Sequence, residues 1–202
     1  MGGKRRCVAV ATSDNKPHWL AERRKYITAS EVAVVLGKSP YKTRLQLFHE
    51  KLNGAPNIDN VHTRRGIRHE EDVLRAWGSS PGWAKDRRWK ASKTLYASTV
   101  YPWLAATPDG LGRHLDKTWV LEAKCPERRW KRPPEHYLWQ VRAQMLVLGI
   151  HRANLIEGIG PDYSTCEVYP VLLRDEDVSL IVELTKAFHR FVREESFPVH
   201  AW

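Results

Sequence analysis

Apolar residues recur at helical spacing in some stretches of the chain and as short, β-favouring runs in others, with Gly, Pro, Asn and Ser between them. Helical patterns cover about Pro17–Lys25, Ser30–Leu36 up to Gly37, and Thr43–Leu52 up to Asn53-Gly54. Ala55–Val61, with Pro56 and Asn57, reads as a loop. A longer helical pattern, about Thr63–Trp77, stops at Gly78, and Ser79-Ser80-Pro81-Gly82 is a clear break. Strand-like runs near Trp83–Trp89, Thr94–Ser98, Trp103–Leu111 and Thr118–Lys124 predict a meander. After Pro133-Pro134 a helix extends to about Leu148, then strands near Asn154–Ile159 and Ser164–Leu172, then a helix from about Asp175 to Arg193. This order predicts an α/β or α+β fold, a central mixed β-sheet flanked by helices. Residues 1–16 are polar and basic around one short apolar run, Cys7–Ala11, and predict a flexible arm, which leaves 17–202 as a single domain.

Chemistry concentrates between Ala106 and Pro126. Thr107-Pro108-Asp109-Gly110 closes one strand-like run, and Glu122-Ala123-Lys124 lies near the end of the next. Strand side chains alternate faces, so Glu122 and Lys124 point the same way, and a hairpin partner ending at Asp109 sets its carboxylate beside Glu122. Pro-Asp-Gly alone is a turn signal, and Glu-x-Lys alone is an ordinary solvated strand face. Together, on a strand led by Trp119-Val120-Leu121, they predict a buried charge cluster that needs a partner. Two hard oxygen ligands suit Mg²⁺, and Mn²⁺ as a substitute; Lys124 is placed to orient or deprotonate an attacking water.

These residues resemble the PD-(D/E)XK nucleases, and specifically the YqaJ or phage lambda exonuclease type of viral recombination nuclease. Trp19-Leu20-Ala21-Glu22-Arg23 and Ile27-Thr28-Ala29-Ser30-Glu31-Val32 look like that family's N-terminal motif, and Gly66-Ile67-Arg68-His69-Glu70 like its Gly-x-x-x-Glu helix. Tyr137-Leu138-Trp139-Gln140-Val141 looks like the helix with its site glutamine. The motifs occur in the family's order over residues 17 to 160. The resemblance implies a restriction-endonuclease-like core with metal ligands from Asp109, Glu122, the carbonyl of Ala123 and Glu70. Glu71 is adjacent and a possible exchange partner for Glu70. Lys124 would poise the water and Gln140 would bind a phosphate or that water. An arginine and a serine at the spacing of Arg23 and Ser30 form the family's pocket for a 5′-phosphate; Arg24 and Lys25 are rival cations.

The implied activity is Mg²⁺-dependent digestion of linear duplex DNA from the 5′ end, leaving 3′ overhangs for recombination. Implied partners are double-stranded DNA ends, a single-strand annealing protein and further copies of the chain in a ring. An endonuclease on the same core and a non-catalytic DNA-binding or annealing protein are the alternatives.

Charge agrees with a polyanionic partner. The net charge is +10, and it is uneven: residues 1–152 hold 29 basic and 14 acidic side chains, residues 153–202 hold 4 and 9. Glu127-Arg128-Arg129-Trp130-Lys131-Arg132, directly after the Glu-x-Lys strand, is a candidate DNA-tracking loop in which Trp130 could stack on a base. On the helix after Pro134, Leu138, Val141, Met145 and Leu148 form a core stripe; Tyr137, Gln140 and Gln144 share another face, and Gln144 reads as structural. Cys7, Cys125 and Cys166 are too few and too dispersed for a disulfide framework or an iron–sulfur cluster. With no membrane-length apolar segment and no signal-peptide core, the expected location is the cytoplasm of a bacterial host.

Overall fold

A computed structural model describes residues 6–54, 61–79, 88–160 and 162–198; for residues 61–68 it describes the backbone only. The predicted segments 55–60 and 83–87, and residues 1–5 of the predicted arm, lie outside the described residues.

The chain forms strand β1 (Cys7–Thr12), helix α1 (Lys16–Arg24), β2 (Ile27–Thr28), α2 (Ala29–Val35), α3 (Arg44–Asn53) and α4 (Val61–Ser79). It continues with β3 (Arg88–Ala91), β4 (Thr94–Ser98), β5 (Leu104–Ala106), β6 (Gly110–His114), β7 (Lys117–Lys124), α5 (Glu135–Leu148), β8 (Ala153–Ile159), β9 (Thr165–Val171) and α6 (Asp175–Arg193). The fold is mixed α+β with two mixed sheets rather than one, in the orders β1-β4-β5-β2 and β3-β6-β7-β8-β9. Strands β5 and β2 run parallel, as do β7 and β8; every other pair is antiparallel.

The apolar run Cys7–Ala11 is not part of a flexible arm: as β1 it pairs antiparallel with β4, from Cys7 opposite Ser98 to Thr12 opposite Thr94. A two-sided partner strand supplies the backbone hydrogen bonds that a local reading of the arm cannot see. The run Trp103–Leu111 is not one strand. Its first half, β5, belongs to the smaller sheet and its second half, β6, to the larger, so Thr107-Pro108-Asp109 is the passage between the two. Pro108 removes a backbone donor, which favours the break there.

Strand β7 is buried on both faces. Leu121 and Ala123 pack under α4 with Val73, Leu74 and Trp77, whereas Val120 packs with Val141, Met145 and Leu148 of α5. Helix α5 is in turn enclosed on its other side, where Trp139, Ala143, Leu146 and Val147 join Val32, Val35 and Phe188. The expected single core stripe of α5 is thus a nearly complete apolar wrap, and Leu138 is only partly buried.

Glycine is required where α4 meets the sheet. A Cβ on Gly158 of β8 would sit 2.4 Å from Val73 Cγ2 and 2.9 Å from Tyr163 Cδ1, both in the core. Gly158→Ala is therefore expected to destabilise the protein by about 1–3 kcal/mol through overpacking. Chemical denaturation checks this; an unchanged midpoint would mean that α4 does not seat on β8 this closely.

Candidate active site

The antiparallel register of β6 and β7 ends with Gly110 opposite Leu121. One step further, the Asp109 carboxylate takes over from the backbone: its Oδ2 accepts the Ala123 N–H at 2.8 Å. The sheet thus delivers Asp109 to the end of the strand that holds Glu122 and Lys124. Glu122 is 1% exposed and lies on the α5 side of β7. Lys124 Nζ donates to its Oε1 at 2.5 Å, and the Gln140 amide donates to the same oxygen. Gln144 Nε2 donates to Glu122 Oε2 at 2.6 Å, so Gln140 and Gln144, one turn apart on α5, clasp the carboxylate from one side.

Gln144 is the site residue that sequence reading misses. It is wholly buried, and its Oε1 and the Thr107 Oγ1 are buried without a hydrogen-bond partner. A signal was available: Gln144 interrupts the apolar run Ala143–Leu148, and a buried amide needs partners.

A cavity of about 540 Å³ opens onto this cluster, and Glu70 and Glu71 of α4 line it with Asp109, Glu122, Lys124, Gln140 and Gln144. Burial pushes the Asp109 carboxyl well above its ordinary range, and the charges of Glu122 and Glu70 push it further. Burial likewise raises Glu70. For Lys124 burial acts to lower the pKa, but Glu122 and Asp109 outweigh it and hold the ammonium above its usual value. While the carboxylates face it, Lys124 is held as a cation that can orient water or phosphate.

The donor set fits a divalent cation. The carboxylates repel one another against the Lys124 ammonium, and two unpartnered buried oxygens lie nearby. Among the described residues no three His, Cys, Asp or Glu side chains converge as a cage. Two carboxylates completed by waters would be the partial, oxygen-rich set that Mg²⁺ accepts, and Glu70 borders the same cavity.

The same cavity extends to Trp19, Arg23, Thr28 and Ser30. Arg23 Nη2 donates to Ser30 Oγ at 3.2 Å and to Thr28 Oγ1 at 3.4 Å, and its guanidinium lies 4.4 Å from the Trp19 ring centroid. Arg24 turns away to the carbonyls of Leu52 and Lys51, and Lys25 pairs with Glu22. Of the three consecutive cations, only Arg23 lines the cavity.

Behind this corner Lys51 of α3 is buried, donating to Tyr26 O at 2.7 Å, Glu31 Oε2 at 2.7 Å and Arg23 O at 3.2 Å. Glu31 also accepts the Thr28 N–H at 2.8 Å, as the capping box predicts. Burial acts to raise Glu31, but Lys51 and Arg23 hold it below the usual range. This ion pair fixes the backbone from Arg23 to Thr28.

The basic loop 127–132 does not line the cavity. Arg128 and Lys131 are exposed, and Arg129 pairs with Glu167. Trp130 does not project: its ring packs 5.5 Å from Tyr137 and 6.0 Å from Tyr169, and its backbone N–H donates to buried Glu157 at 2.6 Å. That packing occupies the ring that base stacking would use.

The family model of the YqaJ-like viral recombinase domain matches residues 18–151. No curated protein matches the sequence. Among solved structures, the chain is similar to the alkaline exonuclease LHK-Exo of Laribacter hongkongensis, with 23% identity, TM-score 0.70 and coverage of 89% of this chain and 93% of that one. It is similar also to a phage-related exonuclease of Haemophilus somnus 129PT, with 13% identity, TM-score 0.61 and coverage of 85% and 96%. At these identities the likeness shows the fold alone.

Proposed function

Since the chain belongs to the YqaJ-like viral recombinase domain family, we propose that it is a divalent-metal-dependent exodeoxyribonuclease that trims the 5′-ended strand of linear duplex DNA and leaves 3′ overhangs for recombination. The observation that carries this reading is the single cavity shared by Asp109, Glu122 and Lys124 with Arg23, Thr28 and Ser30. A hydrolytic cluster alone would serve an endonuclease equally well. A guanidinium and two hydroxyls in the same cleft add a receptor for a terminal phosphate. The receptor consists of side chains; α2, with seven residues, is too short to contribute much dipole. The similar proteins that are described as exonucleases agree with this choice.

Asp109, Glu122 and the Ala123 carbonyl would hold Mg²⁺, or Mn²⁺ in its place, with Glu70 contributing negative charge from α4. The ion would polarise the phosphoryl oxygen and lower the pKa of a bound water. Gln140 and Gln144 fix the Glu122 carboxylate in one orientation. Lys124, protonated, places a positive charge beside the phosphate as negative charge builds there. Arg23, with Ser30 and Thr28, grips the terminal phosphate and so sets which bond reaches the carboxylates. Arg128, Arg129 and Lys131 would track the DNA backbone outside the cavity.

DNA ends, an annealing protein and a ring of several copies are the partners this reading entails, and the bacterial cytoplasm is the compartment where they would meet. Among the described residues no helix is long and apolar enough to cross a membrane.

Digestion of end-labelled linear and covalently closed circular duplexes with Mg²⁺ tests the proposal. The expected result is loss of label from the 5′ end of linear DNA and intact circles. Ready cutting of circles would replace the exonuclease reading with the endonuclease one, and no cleavage of any duplex would leave a DNA-binding role.

A further inference from the structure

Lys124 has a second neighbourhood, outside the cavity. Its Nζ lies 5.2 Å from the ring centroid of Tyr137, in the first turn of α5. The His136 ring packs on Tyr137 with centroids 4.0 Å apart. Tyr41, in the segment between α2 and α3, meets His136 edge-on at 5.2 Å and 89°. Tyr41 is 75% exposed, unusual for so large a ring held against two others.

None of the three has a part in the hydrolytic mechanism. Burial and the Lys124 charge hold the His136 imidazole below its usual pKa, and its Nε2 is buried without a partner. Burial raises the Tyr137 phenol, and hydrogen bonding with Tyr41 supports it. Both directions favour the neutral forms of His136 and Tyr137. In a chain of net charge +10, an aromatic surface beside the Lys124 ammonium is not built for phosphate. Flat rings with one open face select the π-face of a base, whatever its identity. With the Trp130 ring engaged by Tyr137 and Tyr169, Tyr41 is the outermost ring of the group.

We propose that Tyr41, backed by His136 and Tyr137, is a nucleobase-stacking ledge that receives the base of the first or second nucleotide of the strand being cut. The proposal rests on the nuclease reading above. For the phosphodiester at a duplex end to reach the carboxylates, its nucleotide must leave the stack, and an exposed ring that continues the aromatic group from Lys124 through Tyr137 and His136 offsets the stacking that is lost.

The test compares binding and turnover. In the Asp109→Asn background, the affinity for a 5′-phosphorylated linear duplex is measured by fluorescence anisotropy with Mg²⁺, using the normal duplex and duplexes with an abasic site at the first or second nucleotide. One of the two abasic sites is expected to weaken binding about ten-fold. Tyr41→Ala should weaken binding of the normal duplex by the same factor and be indifferent to the abasic site, whereas Tyr41→Phe should keep the Asp109→Asn pattern. Equal affinity of Tyr41→Ala and its parent for the normal duplex, or an abasic penalty unchanged in Tyr41→Ala, would overturn the ledge. Turnover by the unmutated chain is scored separately: failure to cut linear duplex strikes the nuclease reading, while the affinities decide the ledge.

Discussion

Asp109→Asn, Glu122→Gln and Lys124→Ala are each expected to reduce hydrolysis of linear duplex by about 100-fold or more, the scale on which removal of one main electrostatic contributor acts. Glu122→Gln would set an amide against two glutamine amides and the Lys124 ammonium, so the group that both glutamines orient would lose its charge. Lys124→Ala removes the ammonium that faces the carboxylates. Stability separates catalysis from folding in this series. Burial and neighbouring carboxylates raise the folded pKa of Asp109 above its unfolded value. The protonated form is therefore favoured by folding, and the stability it contributes is lost as pH rises through the folded pKa. At neutral or higher pH, Asp109→Asn relieves this repulsion and should leave the thermal midpoint equal or higher while activity collapses, a trade often seen at active sites. Purified Lys124→Ala cutting near the wild-type rate would sink the assignment.

Removal of the 5′-phosphate from linear duplex should slow digestion by the wild-type protein about ten-fold or more, and Arg23→Ala should largely abolish that difference while leaving residual cutting. A hydrogen bond to a charged group contributes about 1.5–3 kcal/mol, and about 1.4 kcal/mol is a factor of ten. Arg23 is already poised on the two hydroxyls of Thr28 and Ser30, and the Lys51–Glu31 pair pins the backbone around it, so little ordering remains to be done when a phosphate arrives. Parallel digestion of 5′-phosphorylated and 5′-hydroxyl duplexes by both proteins reads the effect. Equal wild-type rates on the two ends would remove the terminal-phosphate pocket and, with it, the reason to favour 5′ polarity.

Much of the architecture is legible along the chain. The patterns at Thr94–Ser98 and Asp175–Arg193 match β4 and α6 residue for residue, and α3 begins and ends where Thr43 and Gly54 cap it. Such elements are specified locally, by periodicity and by caps whose partners lie within a turn. The Asp109, Glu122 and Lys124 cluster is legible for a related reason: alternation along β7 and one antiparallel register step bring the three together.

Long-range pairing set the rest. Whether Cys7–Ala11 is an arm or an edge strand depended on β4, about 90 positions away, and whether Trp103–Leu111 is one strand or two depended on which sheet each half joins. Gln144 reads as structural on helical spacing because a wheel has only an inside and an outside. Helix α5 has no outside of that kind, since β7 and the α2–α6 layer enclose it, and the amide turned inward becomes a ligand of Glu122. Lys51 gives no sequence signal as a buried cation, because its partners, Glu31 and the carbonyls of Arg23 and Tyr26, are brought to it only when α3 docks. The sequence by itself determined which residues are candidates to hold a metal and a phosphate. Only the tertiary structure decided that these residues line one cavity and which neighbours hold them there, since burial and contact between distant segments are properties of packing, not of local pattern.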